Sequence, residues 1–168
     1  MKQNRKRILM ILAFVLVASL LLWLFWPRTL ESVCGLNFDQ VTAVSARLET
    51  VRYGNSTDIF THYVLDGEQL SPSGIKFSNY LLSAFEYVGC RTSLTNLLRP
   101  WLLDSFGWAG PVEQLHGFVS CGDTHVHFIL TDRGQLIVNN RLYYISKQSF
   151  DTLQHLLTTY GTKEENYS

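Results

Sequence analysis

The stretch CGDTHVHF, residues 121–128, gathers Cys121, Asp123, His125 and His127 within seven positions. All four are metal-ligand types, and a cysteine beside a histidine is also the raw material of a nucleophile–base pair. Which chemistry is open to them depends on the backbone. Gly122-Asp123 between two apolar-alternating runs is the sequence of a two-residue hairpin turn. On a hairpin, Cys121 pairs with Thr124, Ser120 with His125 and Phe118 with His127. Alternation then puts Cys121 with Val119, Val126, Phe128 and Leu130 on the core face, and His125 and His127 together on the other.

A His-x-His strand pair can hold a transition metal, but zinc takes three or four protein ligands. Cys121 points to the opposite face, Asp123 lies at the turn, and His116 stands a diagonal step from His127. His62 and His155 have no spacing that recruits them. Metal binding by His125 and His127 is therefore the alternative expectation, and a plain hairpin with outward histidines the leading one. The same register denies a Cys121–His125 nucleophile–base pair. GFVSCG lacks the glycine on each side that a nucleophile elbow needs. No His-Glu-x-x-His, Cys-x-x-Cys, phosphate-cradling glycine loop or calcium loop occurs. Asp151 and His155 are helical neighbours of the kind that form a surface pair. Catalysis is not expected, no cofactor is implied, and a small hydrolase without a recognisable motif is a further alternative.

The elements that position these residues follow from the hydrophobic pattern. Residues 8–26, ILMILAFVLVASLLLWLFW, contain no charge, glycine or proline. As a helix they would rise roughly 28 Å, close to a bilayer's hydrocarbon thickness. Trp23 and Trp26 fall at an interface, and Pro27 stops the helix. Lys2, Arg5, Lys6 and Arg7 precede the run, against Arg28 and Glu31 after it. That contrast places the amino end in the cytoplasm and the remainder outside. A cleaved signal peptide fits less well, because the apolar run is long and Ser32 and Cys34 come late. Lipid attachment at Cys34 is disfavoured by Glu31 and Val33. Beyond the run the chain has 10 basic and 14 acidic residues. That sign is wrong for a phosphate backbone, so no nucleic-acid partner is expected.

The expected organisation is a basic amino terminus (1–7), a transmembrane helix (8–26), a juxtamembrane linker (27–38), an α+β domain (39–161) and a disordered tail (162–168). Within the domain, Val41–Val51 and Asp58–Leu65 alternate as strands around a Gly54-Asn55-Ser56 turn. Asn55-Ser56-Thr57 is formally a glycosylation sequon. A helix is expected over Ile75–Val88, with Leu81, Leu82, Phe85 and Val88 as its apolar stripe and Gly89 as its stop. Residues 90–113 read as short helical turns and a loop. Leu115–Cys121, Thr124–Thr131, Gln135–Asn139 and Leu142–Ser146 form a meander. Lys147–Tyr160 is an amphipathic helix, capped by Ser146 or Ser149 and ended by Gly161. The expectation is an antiparallel sheet of about six strands with two main helices on one face.

Three cysteines in an oxidising compartment leave at least one unpaired within a monomer. Cys90 with Cys121 is the expected disulfide, since a helix end packed on a sheet face can bring two α-carbons within bridging range. Trp101, Phe106 and Trp108, together with the outward Phe118, form a possible binding patch. The alternative is that the Pro100–Pro111 segment covers the second face of the sheet as core.

The stretch THVHFILTDRGQLIVNNRLYYISKQSFDTLQHLL resembles small membrane-anchored extracytoplasmic domains of Gram-positive bacteria. The likeness lies in turn-linked strands, a Tyr-x-Ser strand end and an amphipathic helix. It implies a compartment rather than an activity. The expectation is a non-catalytic binding or interaction module of the cell envelope. Its expected partners are the membrane and either another envelope protein or itself.

Overall fold

In the computed structural model, residues 2–53, 57–93 and 111–164 are described. Among the described residues nine strands form one sheet: β1 (Arg28–Thr29), β2 (Ala43–Tyr53), β3 (Thr57–Asp66), β4 (Gly89–Thr92), β5 (Val112–Cys121), β6 (Thr124–Thr131), β7 (Gln135–Val138), β8 (Arg141–Tyr144) and β9 (Thr162–Lys163). Their order is β1-β4-β8-β7-β6-β5-β2-β3-β9, antiparallel at every junction. The α-helices among the described residues are α1 (Lys2–Phe25), α2 (Leu30–Cys34), α3 (Phe77–Glu86) and α4 (Lys147–Tyr160).

The α+β class holds, but two parts of the expectation do not. Sequence reading missed β1, β4 and β9, each two to four residues long, because so short a run carries no alternation to detect. The expected transmembrane helix is also overturned. Among the described residues no helix is long and apolar enough to cross a membrane. The large apolar side chains described along α1, from Ile8 to Leu22, are exposed.

Turn chemistry sets the meander. Gly122 lies at φ 57° in the β5–β6 turn, and the pairs Cys121↔Thr124, Ser120↔His125 and Phe118↔His127 are those the sequence implied. Asn139 (φ 50°) and Asn140 (φ 55°) make a two-residue left-handed turn, the type that matches strand twist, between the paired Val138 and Arg141. Asp132-Arg133-Gly134 gives the three-residue turn, with Gly134 N–H on the Thr131 carbonyl at 3.0 Å.

The α3 helix is shorter at both ends than its apolar stripe suggests. Before it, Phe77 N–H donates to the Gln69 carbonyl, and Leu70 bridges Lys76, which holds residue 76 extended. After it, Tyr87 closes the last turn, and the chain enters β4 at Gly89 instead of stopping there. The α4 helix matches its expected range. Ser146 Oγ accepts from Ser149 N–H at 3.1 Å, and Gly161 N–H closes on the Leu157 carbonyl. Thr162 and Lys163, expected in a disordered tail, pair instead with Val64 and Tyr63.

Both α3 and α4 pack on one sheet face, where Val44, Ala46, Leu48, Leu115, Leu130 and Leu136 meet Leu81, Phe85, Leu153 and Leu157. Each valine, leucine or phenylalanine among them contributes about 1.5–3 kcal/mol on burial. At the centre, Phe128 of β6 lies across Gly117 of β5 and meets Phe85 of α3 edge-on, ring centroids 5.0 Å apart at 83°. A β-carbon at position 117 would enter the Phe128 ring.

Gly117→Ala should therefore overpack this centre and lower the unfolding free energy by about 2 kcal/mol or more in urea titration. The double variant Gly117→Ala/Phe128→Leu should recover part of the loss. An unchanged midpoint in the single variant would contradict the packing described.

Candidate functional site

On the sheet face away from α3 and α4, β2, β5 and β6 carry residues that the registers Arg47↔His116, Glu49↔Gln114 and Phe118↔His127 bring side by side. The rings of Phe118 and His127 stack at 4.6 Å, and those of His127 and His116 at 5.1 Å. His116 Nδ1 lies 3.0 Å from His127 Nε2. On its other side, His116 Nε2 is 3.3 Å from Gln114 Oε1 and 3.4 Å from Glu49 Oε2. Glu49 and Gln114 are buried, each about 6% exposed, and Arg47 Nη1 reaches Glu49 at 3.4 Å.

This arrangement fixes the protons. Two acceptors face His116 Nε2, so that nitrogen carries hydrogen and donates. Neutral His116 is then an acceptor at Nδ1, and His127 donates to it from Nε2. The result is a directed chain, His127 to His116 to Glu49. Burial pushes His116 below its ordinary value of 6.5; His127 and Arg47 push the same way and Glu49 opposes them. Burial likewise lowers His127, again against Glu49.

The two histidines of the opening stretch share a face, but they serve different partners. His125 Nδ1 is engaged by Ser120 Oγ at 2.8 Å, while His127 joins His116. Among the described residues, no group of three or more His, Cys, Asp or Glu could hold a metal ion. His62 bonds Thr50 Oγ1 at 2.6 Å, and His155 is exposed on α4, so neither completes a ligand set. Ser120 and His125 are the first two members of a nucleophile–base arrangement. Both lie beside an open hairpin turn, and among the described residues no carboxylate orients His125.

The expected Cys90–Cys121 pair is also corrected. Cys90 lies on β4 and Cys121 at the end of β5, with β8, β7 and β6 between them. Four strand steps of about 4.8 Å each put them well beyond bridging range. The hydrophobic pattern puts Cys90 at a helix end, because a four-residue strand carries no alternation of its own. Cys121 Sγ instead meets the Gln40 carbonyl at 3.2 Å. No two of the three cysteines are bonded to each other in this structure. Of the expected patch, Phe118 is exposed; Trp101, Phe106 and Trp108 lie outside the described residues, as does the Asn55 sequon.

Sequence reasoning missed a groove at the other end of the sheet. A cavity of about 520 Å³ opens where the α3–β4 turn meets the β8–α4 junction, lined by Tyr87, Arg91, Tyr144, Ile145, Ser146 and Ser149 among others. A second, of about 370 Å³, shares Tyr87, Ser146 and Ser149 and continues along α4 past Gln148 and Thr152. Tyr87 is 81% exposed and Tyr144 47%. Arg91 is exposed opposite Tyr144 in the β4–β8 register. The legible signal was the Tyr144-Ile145-Ser146 strand end; its partner Arg91 was hidden with β4.

No family model, no curated protein and no solved structure matches this chain.

The imidazole pair generates a pH dependence. The unfolded chain takes up protons near 6.5, whereas folded His116 and His127 hold out to lower pH. Their folded pKa is depressed, so stability is full above 6.5 and falls as pH drops below it. Denaturant midpoints should decrease between about pH 8 and about pH 5. His116→Gln/His127→Gln should flatten that dependence. An equal slope in the variant would remove the pair as its source.

Proposed function

We propose that the chain is a non-catalytic binding module whose ligand site is the groove between the α3–β4 turn and the β8–α4 junction. The ligand class that fits is an acidic carbohydrate. The observation that carries this reading is that Arg91 and two exposed tyrosines, Tyr87 and Tyr144, line one cavity of about 520 Å³. That volume lies in the range of small-molecule sites, roughly 300–1,000 Å³. Tyrosine presents a flat apolar body with a polar tip, suited to the face and hydroxyls of a sugar ring. Arg91 supplies paired donors for a carboxylate. The Ser146 and Ser149 hydroxyls line the same groove.

The setting we propose is membrane-associated and extracytoplasmic, in a bacterial envelope. A helix exterior that is apolar along residues 8–22 is stable only against an apolar surround, which supports the membrane association. The resemblance of the carboxyl-terminal half supports the compartment. Flotation of the full chain with phospholipid vesicles tests the association, and a chain that stays at the bottom of the gradient would end it.

For the groove, calorimetry and amide shift mapping with uronic-acid oligosaccharides should report binding, with neutral oligosaccharides weaker. Arg91→Ala and Tyr87→Ala should each weaken the uronic-acid complex about tenfold, a loss of about 1.4 kcal/mol. The denaturation midpoint of Tyr87→Ala should stay unchanged, because that ring is almost wholly in solvent. Shifts centred on His127 instead of the groove, or none at all, would refute the assignment.

A further inference from the structure

The fold brings together two cysteines that the sequence kept apart. Leu30 and Cys34 are the first and last residues of α2, one turn apart on its buried face, at 0% and 5% exposure. Leu30 N–H donates to the Val88 carbonyl at 3.2 Å. The Cys90 thiol donates to that same carbonyl at 3.6 Å. One oxygen atom therefore touches both the base of the turn that carries Cys34 and the sulfur of Cys90. The β1–β4 ladder, with Arg28 opposite Cys90, fixes α2 over β4 from the other side. Both sulfurs belong to one core cluster, and Cys90 is fully buried.

We propose that Cys34 and Cys90 are the two halves of an intramolecular disulfide that fastens α2 to β4. The oxidant is a disulfide-bearing small molecule or protein acting by thiol–disulfide exchange. One chain thiolate attacks the oxidant's disulfide, releases one of its sulfurs as a thiol and forms a mixed disulfide. The second chain thiolate then displaces the remaining oxidant sulfur. One S–S bond forms and one breaks; two electrons and two protons end on the oxidant.

The timing of the reaction follows from burial. Desolvation pushes both folded thiols up to about 12, with Cys34 adding to the effect on Cys90. The thiolate is the reacting species, so the folded pair is slow to oxidise. The bond therefore forms while the chain is folding and the thiols are still in water, and the finished core then shields it. Cys121, held at the Gln40 carbonyl four strands away, takes no part and remains the odd thiol.

The test uses the full chain refolded in a buffer of reduced and oxidised glutathione, followed by quench, denaturation and thiol counting. Titratable thiols should fall from three to one, the intact mass should drop by two hydrogens, and peptide mapping should join Cys34 to Cys90. Cys121→Ser should leave no titratable thiol under the same treatment. Reduction should lower the thermal midpoint of both forms. Three thiols after refolding, or a link from Cys121 to either partner, would overturn the proposal. Because the unsubstituted chain gives the primary readout, no outcome depends on whether a variant folds.

Discussion

The Phe128 ring occupies the space where residue 117 would otherwise carry a side chain, and that vacancy sets the register of the two central strands. With glycine at 117, the ring lies across β5 and still meets Phe85 of α3 edge-on. A one-residue slip would move every side chain of β6 to the opposite face. It would bring His127 against the helices and Phe128 into solvent. The outward ladder of Phe118, His127 and His116 thus exists because the inward side of the same strands is locked by an aromatic on a glycine.

The two faces of the sheet do different physical work. Under α3 and α4 it is an ordinary apolar core. Across the sheet, burial extends to polar groups: Glu49, Gln114 and Thr131 are as hidden as the leucines. Buried polar groups need partners. Glu49 finds them in Arg47 and His116, and the neutral state of the imidazoles is what lets a single carboxylate orient two of them. Of the histidines that first suggest metal chemistry, His125 meets Ser120 and His127 meets His116, which in turn faces Glu49.

What the sequence made legible was what local pattern controls. The β5–β6 register, the Asn139-Asn140 turn and the full range of α4 follow from glycine, asparagine and serine placed next to clear periodicities. What it hid were elements whose partners lie far along the chain. Gly-Cys-Arg-Thr has no period of its own and becomes β4 because Arg28 and Tyr144 flank it. With β4 illegible, Cys90 reads as a helix end, its expected bridge goes to Cys121, and the Arg91 side of the groove has no signal. The His116–Glu49 contact was likewise out of reach, since it joins strands separated by more than sixty residues. The apolar run at residues 8–26 shows the reverse case, where a strong local signal outran what the described helix supports.

The two outermost strands, β1 and β9, stand at opposite edges of the sheet, and each is only two residues long. Antiparallel hydrogen bonds run perpendicular to the strands. A pull on α1 against β9 therefore loads the molecule along the line of those bonds, from edge to edge, and opens them one pair at a time instead of shearing a whole ladder together. The two-residue pairs at the edges, β1–β4 and β3–β9, would yield at low force, before any longer ladder. The sheet is thus mechanically weakest at its two edges and strongest at its centre, so tension across it would be absorbed by extension at the margins before it reached the core.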